Sequence, residues 1–313
     1  MMRTARDYRA GIATETGWNT APTAFRDIRL LAEDLHLVGV REGRRALSEG
    51  GLVAPTRLVR THIEGGMTLT ADAARLSHMM TFVTGGAWTR HGLPEGVLRQ
   101  LAADGADDPR SMGFVRRLAP HDDWQQFSGL RLRGLRIVPA GDSGIVLMLD
   151  LVGAEVAARR RVGVSASPAP RPPVTLRPAP DGLVIRPVGA AVETGPLMLT
   201  GFEIGLYRDG MRPHFALAAN SPQMILPGQL AARIEMRLLA SDAAKRATEA
   251  DRLSVRFGFA DESARFEMFF PLLTVIDRRE HVDADGGPAV IRLRTHAEPR
   301  EGGLFRLREI SPS

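Results

Sequence analysis

The chain contains no cysteine. That excludes disulfide frameworks, thiolate nucleophiles, cysteine-based zinc sites and iron–sulfur clusters. It has one lysine, Lys245, so 40 of its 41 Lys and Arg residues are arginine. Aromatics make up 5% of 313 residues, with three Trp and two Tyr. That is sparse for the exposed platforms of a carbohydrate-binding or adhesin-like sandwich, and for the girdles of an outer-membrane barrel. No apolar run approaches the ~18 residues of a membrane helix. The first fifteen residues, "MMRTARDYRAGIATE", are polar and charged, so no secretory leader is expected. Nucleotide loops are missing too. Lys245 follows Ala244 without the glycines of a Walker loop, and no G-x-G-x-x-G opens a helix.

The charge that is present is basic, +5 with a pI near 10.6. Forty arginines could bind phosphates, but they are dispersed, with acids between them. This pattern reads as compositional bias rather than as a nucleic-acid patch. The one tight cluster is Arg159–Arg160–Arg161.

Alternation with period two dominates. Ile234, Met236 and Leu238 oppose Arg233, Glu235 and Arg237. Leu253, Val255, Phe257 and Phe259 share a face, as do Phe202, Ile204 and Leu206. Ile291, Leu293 and Thr295 alternate with Arg292, Arg294 and His296. Strands with one buried and one polar face point to antiparallel sheets. Two stretches break the pattern. Leu76, Met79, Met80 and Val83 mark a helix started by Thr70 or Asp72, expected over 72–84. Ser241 caps a shorter one, expected over 242–250. "PEGVLRQLAAD" from Pro94, with Val97, Leu98 and Leu101 on one side, is a third helical candidate. Seven prolines lie in 157–188, which reads as a stiff, extended connector.

The two halves echo each other. "IEGGMTLTADAAR" from Ile63 answers "IEMRLLASDAAK" from Ile234, aligning Glu64 with Glu235 and Asp72 with Asp242. "GDSGIVLMLDLVGAE" answers "DGGPAVIRLRTHAE". The expected fold class is mainly β: antiparallel β-sandwich or barrel units with one flanking helix each, duplicated within the chain. Residues 1–22 form an N-terminal segment, 23–156 a first unit, 157–188 the connector and 189–313 a second unit.

Chemical motifs are weak. "GDSGIV" at 141–146 resembles the nucleophile turn of chymotrypsin-like proteases around Ser143, but it sits where two strands need a hairpin turn. His36 and His62 have no context as its base. His121, Asp122 and Asp123 could begin a metal site, yet they follow Pro120 in a solvated loop. The histidines lack ligand spacing, and Asp107–Asp108 has nothing to raise one pKa. No catalytic, cofactor or metal residue is assigned, and no enzymatic activity is expected.

The order of several motifs carries a resemblance. "ETGWNTAP" at 15–22 is followed by "FRDIRLLAEDLHL" and "REGRRAL". Then come "VRTHIEGGMTLTADAARLSHMMTFVTGG", "SMGFVRRLAPHDDWQQFSGLRLRGLRIVPAGDSGIVLMLDLVGAE", "LTGFEIGLYRDGMRPHFALAANSP" and "FEMFFPLLTVIDRREHVDADGGPAVIRLRTHAE". Together, across most of 8–300, they resemble the tail tube (major tail) proteins of long-tailed, siphovirus-type bacteriophages. The resemblance implies a structural virion protein, assembled in the bacterial host cytoplasm. Homo-oligomeric rings, three- or sixfold, stack into a tube that conducts DNA from capsid to cell. The partners implied are further copies of the chain, a tape measure protein and tail terminator or baseplate proteins. DNA passes without specific binding, and no membrane or cofactor is involved. Trp18 and Pro22 would belong to an arm that docks on a neighbouring subunit. The lumen would be acidic or neutral, with Glu64 and Glu235 as lumen-facing acids nearer the channel than most arginines, and Arg159–Arg161 off its wall. A tail terminator, distal tail or baseplate hub protein of the same fold is the alternative within virions. A β-sandwich ligand-binding module is the alternative outside them.

Overall fold

The computed structural model describes residues 8–42, 57–93, 96–103, 108–117, 123–141, 144–159, 162–165, 175–179, 182–189, 197–217, 219–282, 288–301 and 303–312. The alternating segments are strands with the faces expected of them. In Gln229–Leu239, for example, Leu230, Ala232, Ile234, Met236 and Leu238 are buried while Arg233 and Arg237 are exposed. Burying one row of apolar side chains per strand is what holds such a sheet to its partner layer.

In chain order the first half runs β1 (Arg9–Thr14), β2 (Ala24–Asp27), β3 (Ala32–Glu33), β4 (His36–Glu42), β5 (Arg57–Thr70) and α1 (Ala73–Thr84). It continues with β6 (Thr89–Leu93), β7 (Gly96–Ala103), β8 (Ser111–Arg117), β9 (Trp124–Pro139), β10 (Ile145–Gly153) and β11 (Glu155–Arg159). Short strands β12 (Gly163–Ser165) and β13 (Arg177–Pro178) follow. The second half has β14 (Val184–Pro187), β15 (Leu199–Asp209), β16 (Arg212–His214), β17 (Met224–Leu226), β18 (Gln229–Leu239) and α2 (Asp242–Thr248). Last come β19 (Arg252–Ala260), β20 (Arg265–His281), β21 (Val290–Ala297) and β22 (Phe305–Pro312).

Both expected helices form. Asp72 caps α1, its carboxylate accepting from Arg75 N at 2.7 Å. Gly85 ends α1 in the left-handed conformation at φ 79°, where glycine carries no side-chain penalty. Ser241 caps α2 by accepting from Ala244 N at 3.1 Å. Leu76, Met79, Met80 and Val83 are all buried.

The third helical candidate is instead strand β7. It pairs along its length with β22, placing Leu101 opposite Leu307, both fully buried. The helical spacing of Val97, Leu98 and Leu101 lost to tertiary context: a helix there would leave the β22 edge unpaired.

One antiparallel sheet of eight strands runs through the molecule in the order β4-β5-β10-β9-β15-β18-β21-β20. The first four strands come from the first half, the last four from the second. Strands β9 and β20 are long. Their N-terminal halves leave this sheet and enter second layers, β11-β9-β8-β1-β2-β12 and β6-β7-β22-β20-β19-β14. The core lies between the layers, with α1 packed over β9 and β15.

The duplication reaches the level of irregularities. In the β9–β10 ladder the register skips Arg133, so that Asp150 faces Gly134 and Leu151 faces Leu132. In the β20–β21 ladder it skips Ile276, so that Arg294 faces Asp277 and Thr295 faces Val275. A second shift falls between Met112↔Leu130 and Phe114↔Phe127, and again between Leu253↔Leu273 and Val255↔Phe270. Leu132 and Val275, Leu130 and Leu273, and Phe127 and Phe270 therefore correspond at one constant separation. Bulges redirect a strand at a fixed place, so the same two bends are built into both halves.

This register corrects the sequence echo. The two N-caps, Asp72 and Ser241, coincide, which aligns Leu69 with Leu238 and Met67 with Met236. Glu64 then corresponds to Arg233, and Glu235 to Gly66. Matching letters placed the gap wrongly; the cap and the burial pattern fix it. Strand β1 lies within the expected N-terminal segment, β11 runs from the expected first unit into the connector, and β14 lies within the connector; all three pair within the second layers. Residues 160, 161, 166–174, 180 and 181 of the expected connector lie outside the described residues.

Candidate functional site

The face of the eight-stranded sheet turned away from the core forms an open trough of about 1320 Å³. Glu64, Asp150, Glu203 and Glu235 line it beside Arg133, Arg136, Arg233 and Arg294. Alternation puts these side chains there, because each neighbours residues whose side chains enter the core.

The charges are paired across strands. Arg133, freed from the ladder by its bulge, donates through Nε and a terminal nitrogen to both oxygens of Asp150 at 2.9 Å. It also reaches Glu64 at 3.3 Å. Hydrogen bonding to Asp150 raises the Arg133 guanidinium above its ordinary value. Glu235 receives a bidentate pair from Arg292 at 2.8 and 2.9 Å, with Arg294 at 3.3 Å and Arg237 at 3.6 Å. The Arg292 hydrogen bonds, foremost, hold the Glu235 carboxyl below the usual range. Arg136 stands 3.8 Å from Glu203. Arg233 lies over the Tyr207 ring at 4.9 Å.

Glu64 and Glu235 thus both reach the trough. Four arginines, Arg133, Arg136, Arg233 and Arg294, line it beside them. Alternation exposes whatever polar residue the strand supplies, and in this chain that residue is often arginine. Arg159 lies on β11 in a second layer, donating to Gln126 Oε1 at 3.1 Å. Arg160 and Arg161 are outside the described residues.

The turn 15–22 is tied to its own chain. Glu15 accepts from Asn19 N at 2.9 Å and Gly129 N at 2.7 Å; burial nevertheless pushes its carboxyl up. Trp18 packs on Val152, Met211 and Ile225. The Pro22 carbonyl accepts from Gln126 Nε2 at 3.0 Å, and its ring covers Gly113. The hairpin β16–β17 thereby closes one end of the first repeat. Arg131 donates there to the Ile225 carbonyl at 2.9 Å and binds Asp108 through two nitrogens.

Among the described residues, no group of three or more His, Asp or Glu side chains could hold a metal ion. None of the described helices is long and apolar enough to cross a membrane. Ser143, His121, Asp122 and Asp107 lie outside the described residues. The Pro139–Ile145 link does join two paired strands, as a hairpin turn requires. No protein-family model and no curated protein matches the sequence.

The sequence had not pointed to the two ends of the sheet, β4 and the C-terminal half of β20, which have no strand on their outer sides among the described residues. Leu37 on β4 is 49% exposed and Ile276 on β20 is 64% exposed. An apolar residue at a ladder's edge is the signal that could have found them.

Proposed function

We propose that the chain is a structural subunit that closes into rings, and that the rings stack into a bacteriophage tail tube conducting DNA. The duplicated half-sheet, with both end strands unpaired on their outer sides among the described residues, carries this reading. Each chain supplies eight strands in sequence, and its first repeat already joins its second edge to edge through β9 and β15. Repeating that contact between chains is a head-to-tail association, which closes when the rotation permits.

Strand arithmetic favours three chains. About 24 strands spaced ~4.8 Å apart and tilted ~40° make a barrel roughly 48 Å across its backbone. Side chains would leave a bore of roughly 35–40 Å, enough for duplex DNA. Six chains would roughly double the barrel, while one chain alone would fill its interior with side chains.

The trough supports the same reading. DNA carries about one charge per 1.7 Å, and free arginines would hold it through counterion release. Arginines already engaged by Asp150, Glu64 and Glu235 have less to offer phosphates. Tape measure, tail terminator and baseplate proteins are the partners of such a tube.

Electron microscopy of the concentrated protein, with rotational averaging, tests the proposal. Rings or tubes with a bore wide enough for DNA are expected. A chain that stays monomeric at every concentration, and is missing from virions, overturns it.

A further inference from the structure

The internal repeat specifies how two copies would meet, residue by residue, if chains associate as the ring reading holds. Inside the chain the last strand of the first half-sheet, β9, pairs with the first strand of the second, β15. The register is Ile137↔Ile204, Arg136↔Gly205, Leu135↔Leu206 and Gly134↔Tyr207. The last strand of the second half-sheet, β20, and the first strand of the first, β4, have no such partner on their outer sides among the described residues.

The correspondences above transfer the register. Leu135 and Arg278 occupy equal places, opposite Leu149 and Leu293 of their neighbours. Arg136 likewise matches Arg279. On the other side Gly205, opposite Arg233, matches His36, opposite Glu64. Leu206 therefore matches Leu37, and Glu203 matches Asp34.

We propose that β20 of one copy pairs antiparallel with β4 of the next, setting Arg278 opposite Leu37 and Arg279 opposite His36, with Arg279 ion-paired to Asp34.

Three observations favour a second copy over an edge that is merely exposed. First, Leu206 is 1% exposed where it pairs with Leu135 of β9, whereas its counterpart Leu37, with no strand beside it among the described residues, is 49% exposed. The Arg278 stem is long enough to lie along it. Second, the charges repeat. Arg136 meets Glu203 across the internal junction at 3.8 Å, and their counterparts Arg279 and Asp34 are again an arginine and an acid. Third, Ile276 lies exposed at the β20 edge, at the bulge position that Arg133 holds beside the internal junction. Charged residues such as Arg278 and Glu280 can blunt an edge against pairing. Here the acid–base match at the transferred register turns the charge into a means of selecting one partner and one alignment.

The chain has no cysteine, so introduced pairs report contacts cleanly. Directly opposed residues place Cβ atoms ~4.5–5.5 Å apart, near disulfide range, while a shift of two residues gives ~7 Å or more. Under mild oxidation, Leu37→Cys with Arg278→Cys is expected to give covalent dimers and trimers. Leu37→Cys with Glu280→Cys should give at least tenfold less, and each single variant should give no ladder. Rings by microscopy with cross-linking at the shifted pair, or at neither pair, would overturn the register and leave the ring reading standing. No rings and no covalent species from folded protein would overturn both. Should the cysteine variants fail to fold, charge reversal decides. Asp34→Arg and Arg279→Glu are each expected to weaken assembly tenfold or more in sedimentation, and together to restore it. Failure of the double variant to recover overturns the pairing.

Discussion

Arg208, on the first long strand of the second repeat, reaches across to the end of the helix in the first: its Nε donates to the Val83 carbonyl at 2.9 Å. A terminal nitrogen donates to the Thr84 carbonyl at 2.5 Å. Arg208 is 2% exposed. It satisfies carbonyls that a helix end leaves without partners, and its charge suits the negative end of the helix dipole. Arg208→Met keeps the apolar stem and removes the donors. Leaving two buried carbonyls unpaired costs about 2–4 kcal/mol. Urea unfolding should show that loss, and an unchanged midpoint would refute the assignment.

Gly129 adopts φ +66°, and a Cβ there would stand 2.8 Å from the Ala154 Cβ. Its amide also serves Glu15. Gly129→Ala is expected to destabilise by about 1–3 kcal/mol through strain and overlap. A melting temperature within a degree of the parent would show that the bulge adapts.

His78 is held below its ordinary value, first by burial and then by Arg26 and Arg110. Its ring stacks edge-on against Phe82 at 4.7 Å. The folded state therefore favours the neutral ring. Its contribution is fully present above the ordinary His value of about 6.5 and is lost as pH falls through the lowered folded value. Thermal midpoints should decline over that interval, and His78→Gln should flatten the decline. An identical slope in the variant would place the titrating group elsewhere.

Glu235 engages three arginines on the trough. Glu235→Gln should leave folding nearly intact, because its arginine partners are substantially exposed. It should strengthen non-specific DNA binding and steepen its salt dependence by about one counterion. Fluorescence anisotropy across a salt series measures this. Unaltered binding would mean that those arginines do not face the DNA.

Much of the fold was legible because period-two alternation is a local signal. Ile234, Met236 and Leu238 declare their buried face without help from the rest of the chain. The caps at Asp72 and Ser241 are equally local. Strand β7 was not legible, since Val97, Leu98 and Leu101 suit a short helix and only the distant edge of β22 decides otherwise. The repeat itself was visible, but its register was not. Identical letters at Ile63 and Ile234 outweighed the bulges at Arg133 and Ile276, which leave no mark in sequence. Trough residues such as Glu64 and Glu235 were recognisable as polar positions. Arg237 is two residues from Glu235 on one strand, but Arg133, Arg292 and Arg294 come from strands tens of residues away, beyond any spacing rule.

The pairing of β7 with β22 has a consequence for synthesis. Leu101 emerges from the ribosome about two hundred residues before Leu307, which at ~5–20 residues per second is a delay of roughly 10–40 s. Through that interval the β6–β7 pair lacks the β22 edge it joins. Contacts so distant in sequence fold slowly. Nascent chains crowded on one message would therefore expose the same unpaired strand to one another, and early termination before β22 should yield aggregates rather than a stable half-molecule.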